Sequence, residues 1–388
     1  MGRKVGLTWF LHIIHLHIST LNPPAKIKPI QYQGFQMNTQ KDLVNLIKVK
    51  ITTPFSDRWF LHQIPKNMTW GRCIFTLNPS EKNYDWLVAY NNIPVNPISQ
   101  NKRNCELLAC PIEHTILTTT EPASISYYGK AFTKQFGFVL TSQSESDLPH
   151  RNRIYQQAGL IWLYGIGYEG PAQSFEDMVE NIPENKTEDL AMVFSGKKMR
   201  MSLHSKRYHF MKYMEENLPN MHIYGRSSHH IPLDDKTLAL AKYKYSFALE
   251  NHIEKHHWTE KLADAFLGLT LPFYAGCPNA CDYFPEDSFI PIDIRKPDEA
   301  LEIILKSIKD KEYEKRLPSI HEARRRVLFE HNLFAVLSRE IEKRHNPNIN
   351  LNTKNHICSR HAIRAQSPMY WMSDLLGRAK LKLKHFEL

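Results

Sequence analysis

Four residues at the joints of one apolar stretch pose the chemical problem. In YKYSFALENHIEKHHWTEKLADAFLGLTLPFYAG, residues 243–276, Glu250 and Asn251 follow a strand-like run. Glu260 and Lys261 open a helix-like run directly after Thr259, a residue able to cap it. A lysine at a helix start, with the helix amides beside it, suits a phosphate or diphosphate. Glu260 is ill suited to touch phosphate but well suited to the paired hydroxyls of a ribose. A nucleoside diphosphate therefore fits the pair, although Glu and Lys in a first helical turn are by themselves ordinary capping and surface charge. The chain lacks a Walker phosphate loop, a G-x-G-x-x-G that follows a strand, and a D-x-D triplet for a metal-bound sugar nucleotide. A departing diphosphate is thus expected to be neutralised by basic side chains, with no cofactor and no metal.

The elements that would hold these residues are legible around them. LAMVFSG, MHIYG, YSFALE and LPFYAG read as strands, while SKRYHFMKYMEENL, LDDKTLALAKY, TEKLADAFLGL and KPDEALEIILKSIKD read as helices. Such alternation implies a parallel sheet covered on both faces, whose ligands bind at the carboxyl ends of the strands. Upstream, DWLVAY, HTILTTTE and FGFVLTS are further strand candidates, and PENKTED has the composition of a connection. The 388-residue length suits two globular parts. The expected divisions are 1–36, an N-terminal extension outside the fold with Met37 as an alternative start; 37–180 and 181–320, two sheet domains; 321–345, a helical return; and 346–388, a basic linker and amphipathic tail.

Composition narrows the partners. The net charge of +10 favours an anionic ligand or surface. The chain shows no zinc-finger spacing, ribonucleoprotein aromatic pattern or extended basic stripe, so no nucleic acid is expected. Six cysteines are too few for a disulfide framework and read as buried thiols in a reducing cytoplasm. In MSDLLGRAKLKLKHFEL, Leu375, Leu376, Ala379, Leu383 and Phe386 share one helical face, with Arg378, Lys380, Lys382 and Lys384 elsewhere. This is either a packed terminal helix or one lying on an anionic membrane from its cytoplasmic side.

YKYSFALEN, TEKLADAFLGLTLPFYAG and YFPEDSFIPI together resemble the donor-binding signature of glycosyltransferase family 10, the α1,3/4-fucosyltransferases, and most closely its bacterial members. That family carries Y-K-F-x-L-x-F-E-N, then T-E-K at a similar distance, then a proline-containing strand and S-F-[IV]. The resemblance implies a GT-B type α/β fold: two Rossmann-like domains with parallel sheets facing across a cleft, and a C-terminal helix crossing back. It implies a GDP-fucose donor bound by residues 181–320 and a glycan acceptor bound by 37–180, with α1,3 transfer to an N-acetylglucosamine-type residue. VFSGKKMRMSLHSKRYHF offers Ser195, Arg207 and Phe210 where the family has a strand-end serine and an Arg-x-x-aromatic, making Arg207 the grip on the donor diphosphate. TILTTTEPAS supplies Glu121, otherwise a plain strand-end acid, as the general base. Lys261 would share the diphosphate, Glu260 would hold the ribose, and Asn251 would line the donor pocket.

Ser195, Glu250 and Arg226 are further cleft candidates, Arg226 being equally readable as solvated surface. His257 and Trp258 stand where the family usually has an aromatic before T-E-K. The expectation is either a shifted donor fit at His257, with Trp258 stacking, or an exposed polar loop carrying His252, His256 and His257. Two alternatives keep the fold: a transferase using another sugar nucleotide, and a non-catalytic protein that binds a sugar nucleotide or glycan.

Overall fold

The computed structural model describes residues 46–94, 104–167, 172–194, 203–225, 229–349 and 355–385. The chain divides into two compact units, Met1–Gln36 and Met37–Leu388, and every described residue belongs to the second. The expected N-terminal extension, Ser195 and Arg226 lie outside the described residues.

The first sheet has strands β1 (Ile47–Thr52), β2 (Thr69–Trp70), β3 (Cys73–Thr76), β4 (Trp86–Tyr90), β6 (Thr115–Thr118), β7 (Phe138–Thr141) and β8 (Arg153–Tyr155). Their order is β2-β3-β1-β4-β6-β7-β8, parallel except where β2 meets β3. β4 is WLVAY with every residue buried, the continuous apolar run of a strand covered on both faces. The second sheet joins β9 (Glu188–Phe194), β10 (His222–Gly225), β11 (Tyr243–Leu249), β12 (Leu271–Ala275) and β13 (Ile290–Pro291) in the order β10-β9-β11-β12-β13, parallel throughout. Chain order reverses between β9 and β11, and the crevice at such a reversal is where open α/β sheets bind ligands. This is the two-sheet GT-B type arrangement.

Two helices flank that crevice, α1 (Leu203–Asn217) after β9 and α2 (Glu260–Leu267) after β11. The apolar stripe of α2 is buried through Leu262, Ala263, Ala265, Phe266 and Leu267. Its carboxyl end is held by two cations: the buried Arg324, whose Nε donates to the Leu267 carbonyl at 3.1 Å, and the half-buried Lys186, whose Nζ donates to the Gly268 carbonyl. Cations there complement the helix dipole and leave the amino end to face the crevice. Burial, reinforced by Arg324, brings the Lys186 ammonium down to about 7.

After α3 (Pro297–Lys309) and α4 (Glu312–Phe329), helix α5 (Leu333–Glu342) returns to the first sheet. Phe334 meets Phe75 edge-on at 5.0 Å, Ser338 Oγ donates to the Trp70 carbonyl at 2.7 Å, and Trp86 Nε1 donates to His345 Nδ1 at 3.1 Å. The chain then adds β14 (His356–Cys358), antiparallel to β5 (Cys105–Leu107), and helices α6 (Arg360–Gln366) and α7 (Pro368–Lys384).

Three expectations need correction. The 346–388 segment, read as a basic linker and amphipathic tail, contains β14 and α6 ahead of α7, because Ile357 and Cys358 are buried and Ser359 Oγ caps α6 through Ala362 N–H. The helix read in LDDKTLALAKY shrinks to the single turn Thr237–Leu240, since Asp235 Oδ1 takes the Thr237 N–H in a local turn. Not all cysteines are thiols: Cys105 and Cys358, 253 residues apart, form a disulfide, while Cys73, Cys110 and Cys277 are buried and free.

Candidate functional site

Between the carboxyl ends of the two sheets lies a cavity of about 430 Å³. Glu121 lines it from the first sheet, and Arg207, Asn251, Glu260 and Lys261 line it from the second. The volume lies within the range of small-molecule sites.

Its polar floor is built by α2's first turn. Thr259 Oγ1 accepts the Lys261 N–H, while Thr259 itself donates to the buried Glu250 carboxylate twice, from N–H at 2.8 Å and from Oγ1 at 2.7 Å. Lys261 Nζ lies 2.9 Å from Glu260 Oε1 and 3.5 Å from Glu250 Oε2. Burial pushes the Glu250 carboxyl up, against the pull of Lys261. Burial pushes Glu260 the same way, but Lys261 and Lys236 outweigh it and hold Glu260 well below the usual carboxylate range. The two carboxylates in turn overcome burial and raise the Lys261 ammonium. Lys261 is thereby a fixed cation and Glu260 a fixed anion at any physiological pH.

Arg207, one turn into α1, is 7% exposed, and its Nη1 donates to the Leu249 carbonyl at 3.2 Å. The guanidinium thus sits at the end of β11 beside Glu250 and Asn251. Asn251 Oδ1 is buried with no hydrogen-bond partner among the described residues, an acceptor available to a donor group in the cavity. Leu163, Val193, Met211 and Phe247 supply apolar wall.

Across the cavity, the backbone around Glu121 is pinned. Tyr128 Oη accepts the Thr120 N–H at 2.9 Å and the Glu121 N–H at 3.4 Å, and the Glu121 carbonyl accepts from Gln143 Nε2 at 2.8 Å. Tyr128 Oη in turn donates to Asn91 Oδ1 at 2.9 Å. The Glu121 side chain is exposed at the cavity.

The histidine-rich loop is not an exposed polar loop. His252 and His257 are buried, and the segment 251–258 straps the two sheet domains together. His257 Nδ1 lies 3.2 Å from Ser142 Oγ, His252 Nδ1 lies 3.1 Å from Ser124 Oγ, and Glu254 Oε1 accepts the Ser144 N–H at 3.0 Å. His257 is not among the residues lining the cavity. Burial, reinforced by the Lys261 charge, lowers its imidazole to about 3 and keeps it neutral. Trp258 turns inward as well, 2% exposed, with its ring 4.9 Å from that of Phe284.

Two charged lining residues escape a reading of the sequence, Lys236 and Asp264. Lys236 Nζ pairs with Asp264 Oδ2, whose other oxygen accepts the Leu163 and Tyr164 N–H groups at 2.8 and 2.9 Å. Asp264 lies one helical turn beyond Glu260 on α2, and that spacing was the available signal. The run Gly165-Ile-Gly-Tyr-Glu-Gly170 has G-x-G-x-x-G spacing but follows irregular chain, and the Gly165 N–H donates to Asp235 Oδ1 at 3.2 Å.

Residues 183–318 match the family model described as Glycosyltransferase family 10 (fucosyltransferase) C-term. No curated protein matches the sequence significantly. Among solved structures, a crystal structure of an alpha1,3-fucosyltransferase aligns at 16% identity and a TM-score of 0.45, over 88% of this chain and 93% of that one. A structure of an alpha1,3-fucosyltransferase with GDP-fucose aligns at 17% identity and a TM-score of 0.39, over 85% and 90%. A glycosyltransferase from Rickettsia africae aligns at 11% and 0.36, over 78% and 98%.

Proposed function

We infer the reaction from the premise that residues 183–318 are a glycosyltransferase family 10 domain and that the protein is a fucosyltransferase. The reading is an inverting transfer of L-fucose from GDP-fucose to a glycan hydroxyl, α1,3 to an N-acetylglucosamine-type residue. One observation carries it: a carboxylate from the first sheet, Glu121, shares a cavity with the cations Arg207, Lys236 and Lys261 from the second.

In this reading the guanosine diphosphate lies at the crevice between β9 and β11. Glu260 receives the ribose hydroxyls, and Asn251 Oδ1 accepts from the donor. Arg207 and Lys261 face the diphosphate, and as the C–O bond to fucose breaks they stabilise the charge gathering on GDP. Lys261 is held between two carboxylates, so it is positioned before the substrate arrives, with no reorganisation required in the transition state. The acceptor hydroxyl attacks the anomeric carbon from the opposite face while Glu121 takes its proton. The β-linked donor then gives an α-linked product in a single displacement, with the leaving group neutralised by side chains and not by a metal.

Among the described residues no helix is long and apolar enough to cross a membrane. α7 nonetheless presents Met369, Trp371, Met372, Leu376 and Leu383 to solvent, which supports peripheral contact with an anionic membrane.

The test is acceptor-dependent release of GDP from GDP-fucose, in the presence of EDTA, over a panel of acceptors and alternative sugar nucleotides. Glu121→Gln is expected to lose about 10²- to 10⁴-fold in kcat. Turnover undiminished in Glu121→Gln, or a preference for another nucleotide sugar, would overturn the assignment.

A further inference from the structure

A second cavity, of about 440 Å³, opens beside the first, and Ile125 lines both. Its floor is the Ala123–Tyr127 loop that directly follows Glu121 and Pro122, and its far wall is α6 and α7. The wall carries Arg360, Arg364, Arg378 and Lys382, and no carboxylate lines the cavity among the described residues. Asp374 sits behind Arg364 and Arg378, its Oδ2 2.8 Å and 2.9 Å from their Nε atoms, so it pairs with two of the four cations. Arg360 makes its hydrogen bonds to neutral groups among the described residues: Nη1 donates to Ser126 Oγ at 3.0 Å and Nη2 to Asn91 Oδ1 at 3.4 Å, and the guanidinium carbon lies 4.8 Å from the centre of the Tyr128 ring. Burial lowers both Arg360 and Arg364; Arg378 repels each, and Asp374 works against that repulsion. Guanidinium groups that repel one another around a concave wall form a receptor for a planar anion.

We propose that this basic cavity is an acceptor subsite for an acidic group, a sugar carboxylate or phosphate, on the glycan whose hydroxyl is presented to Glu121. The inference rests on the transfer reading above and adds the class of acceptor to it. Arg360 ties the subsite to the reaction centre, because its partners Ser126, Asn91 and Tyr128 belong to the same network that fixes the Glu121 backbone. An anion bound there places the acceptor along the 122–126 loop, with Ile125 between the acidic sugar and the reacting one.

The experiment compares N-acetyllactosamine with its sialylated and 6-phosphorylated forms, in wild type and in Arg378→Gln and Lys382→Gln, at low and high salt. Arg378 and Lys382 are exposed on α7, so folding is expected to survive either change. An acidic acceptor should be preferred at least about tenfold in kcat/KM, through KM, with the two acids telling carboxylate from phosphate. The ratio of acidic to neutral acceptor should fall toward one in both variants and in high salt. Direct titration of wild type and variants with the same three sugars provides an arm that does not need turnover. Charge-selective binding lost in the variants supports the subsite even where transfer fails, and such a failure would strike only the transfer reading. Equal binding of neutral and acidic sugars overturns the subsite and leaves the transfer reading in place.

Discussion

Lys261 stands between two carboxylates, and the balance of that trio decides what the site can bind. Removing the ammonium leaves Glu250 to its Thr259 hydrogen bonds and Glu260 to the shared charge of Lys236, so Lys261→Met is expected to cost about 3 kcal/mol in urea unfolding, as for other broken buried pairs. On the proposed function, GDP is expected to raise the melting temperature of wild type, and this variant is expected to lose that rise. Glu250→Gln tests the opposite case. Its amide would set an N–H against the Thr259 N–H or hydroxyl, and about 1–3 kcal/mol should be lost with the start of α2. Of the five expected residues that line the cavity, Asn251, Glu260 and Lys261 could be singled out from local pattern, a strand end and a capped helix start, and Glu121 and Arg207 only through the family resemblance. Lys236 and Asp264 could not, because their role depends on the Leu163–Tyr164 backbone about 100 residues away in sequence.

At the level of elements, β11, α2 and β12 were legible because a continuous buried run, a capping threonine and an apolar period all agree. β5 and β14 were not. Each has three residues, and what makes them strands is a pairing between segments some 250 residues apart. The 251–258 strap misleads for a related reason: three histidines read as polar, yet two are buried by surfaces supplied from the other sheet. Cutting the strap tests its part in the reaction. Glu254→Ala removes the acceptor for the Ser144 N–H and the carboxylate 3.1 Å from His252 Nε2. Amide exchange across 251–258 should quicken, and KM for acceptor should rise more than KM for donor, because the donor elements stay intact. Equal changes in the two KM values would mean that the strap only supports α2.

For the molecule as a whole, neutral buried imidazoles set the acid limit. Burial lowers His257 to about 3, and His62, His321 and His331 to about 4. Above pH 6.5 these groups are neutral both folded and unfolded. Below it the unfolded chain takes up protons that the folded chain refuses, so stability falls with pH by up to about 1.4 kcal/mol per unit for each histidine. The loss continues until the folded groups themselves titrate near 3 to 4. Urea unfolding between pH 7 and 5 should show this slope, and His257→Gln should make it shallower by the share of one group. The path of the chain carries a different consequence. α5 covers the first sheet, and β14 pairs with β5 only after the whole second sheet has been made. On the ribosome, therefore, the half encoded first is finished last. The second sheet can close as a contiguous segment while the first waits, incompletely covered, for α5 and β14. A chain stopped short of β14 would be expected to reach its chaperones with the second sheet closed and the first sheet still open at β5.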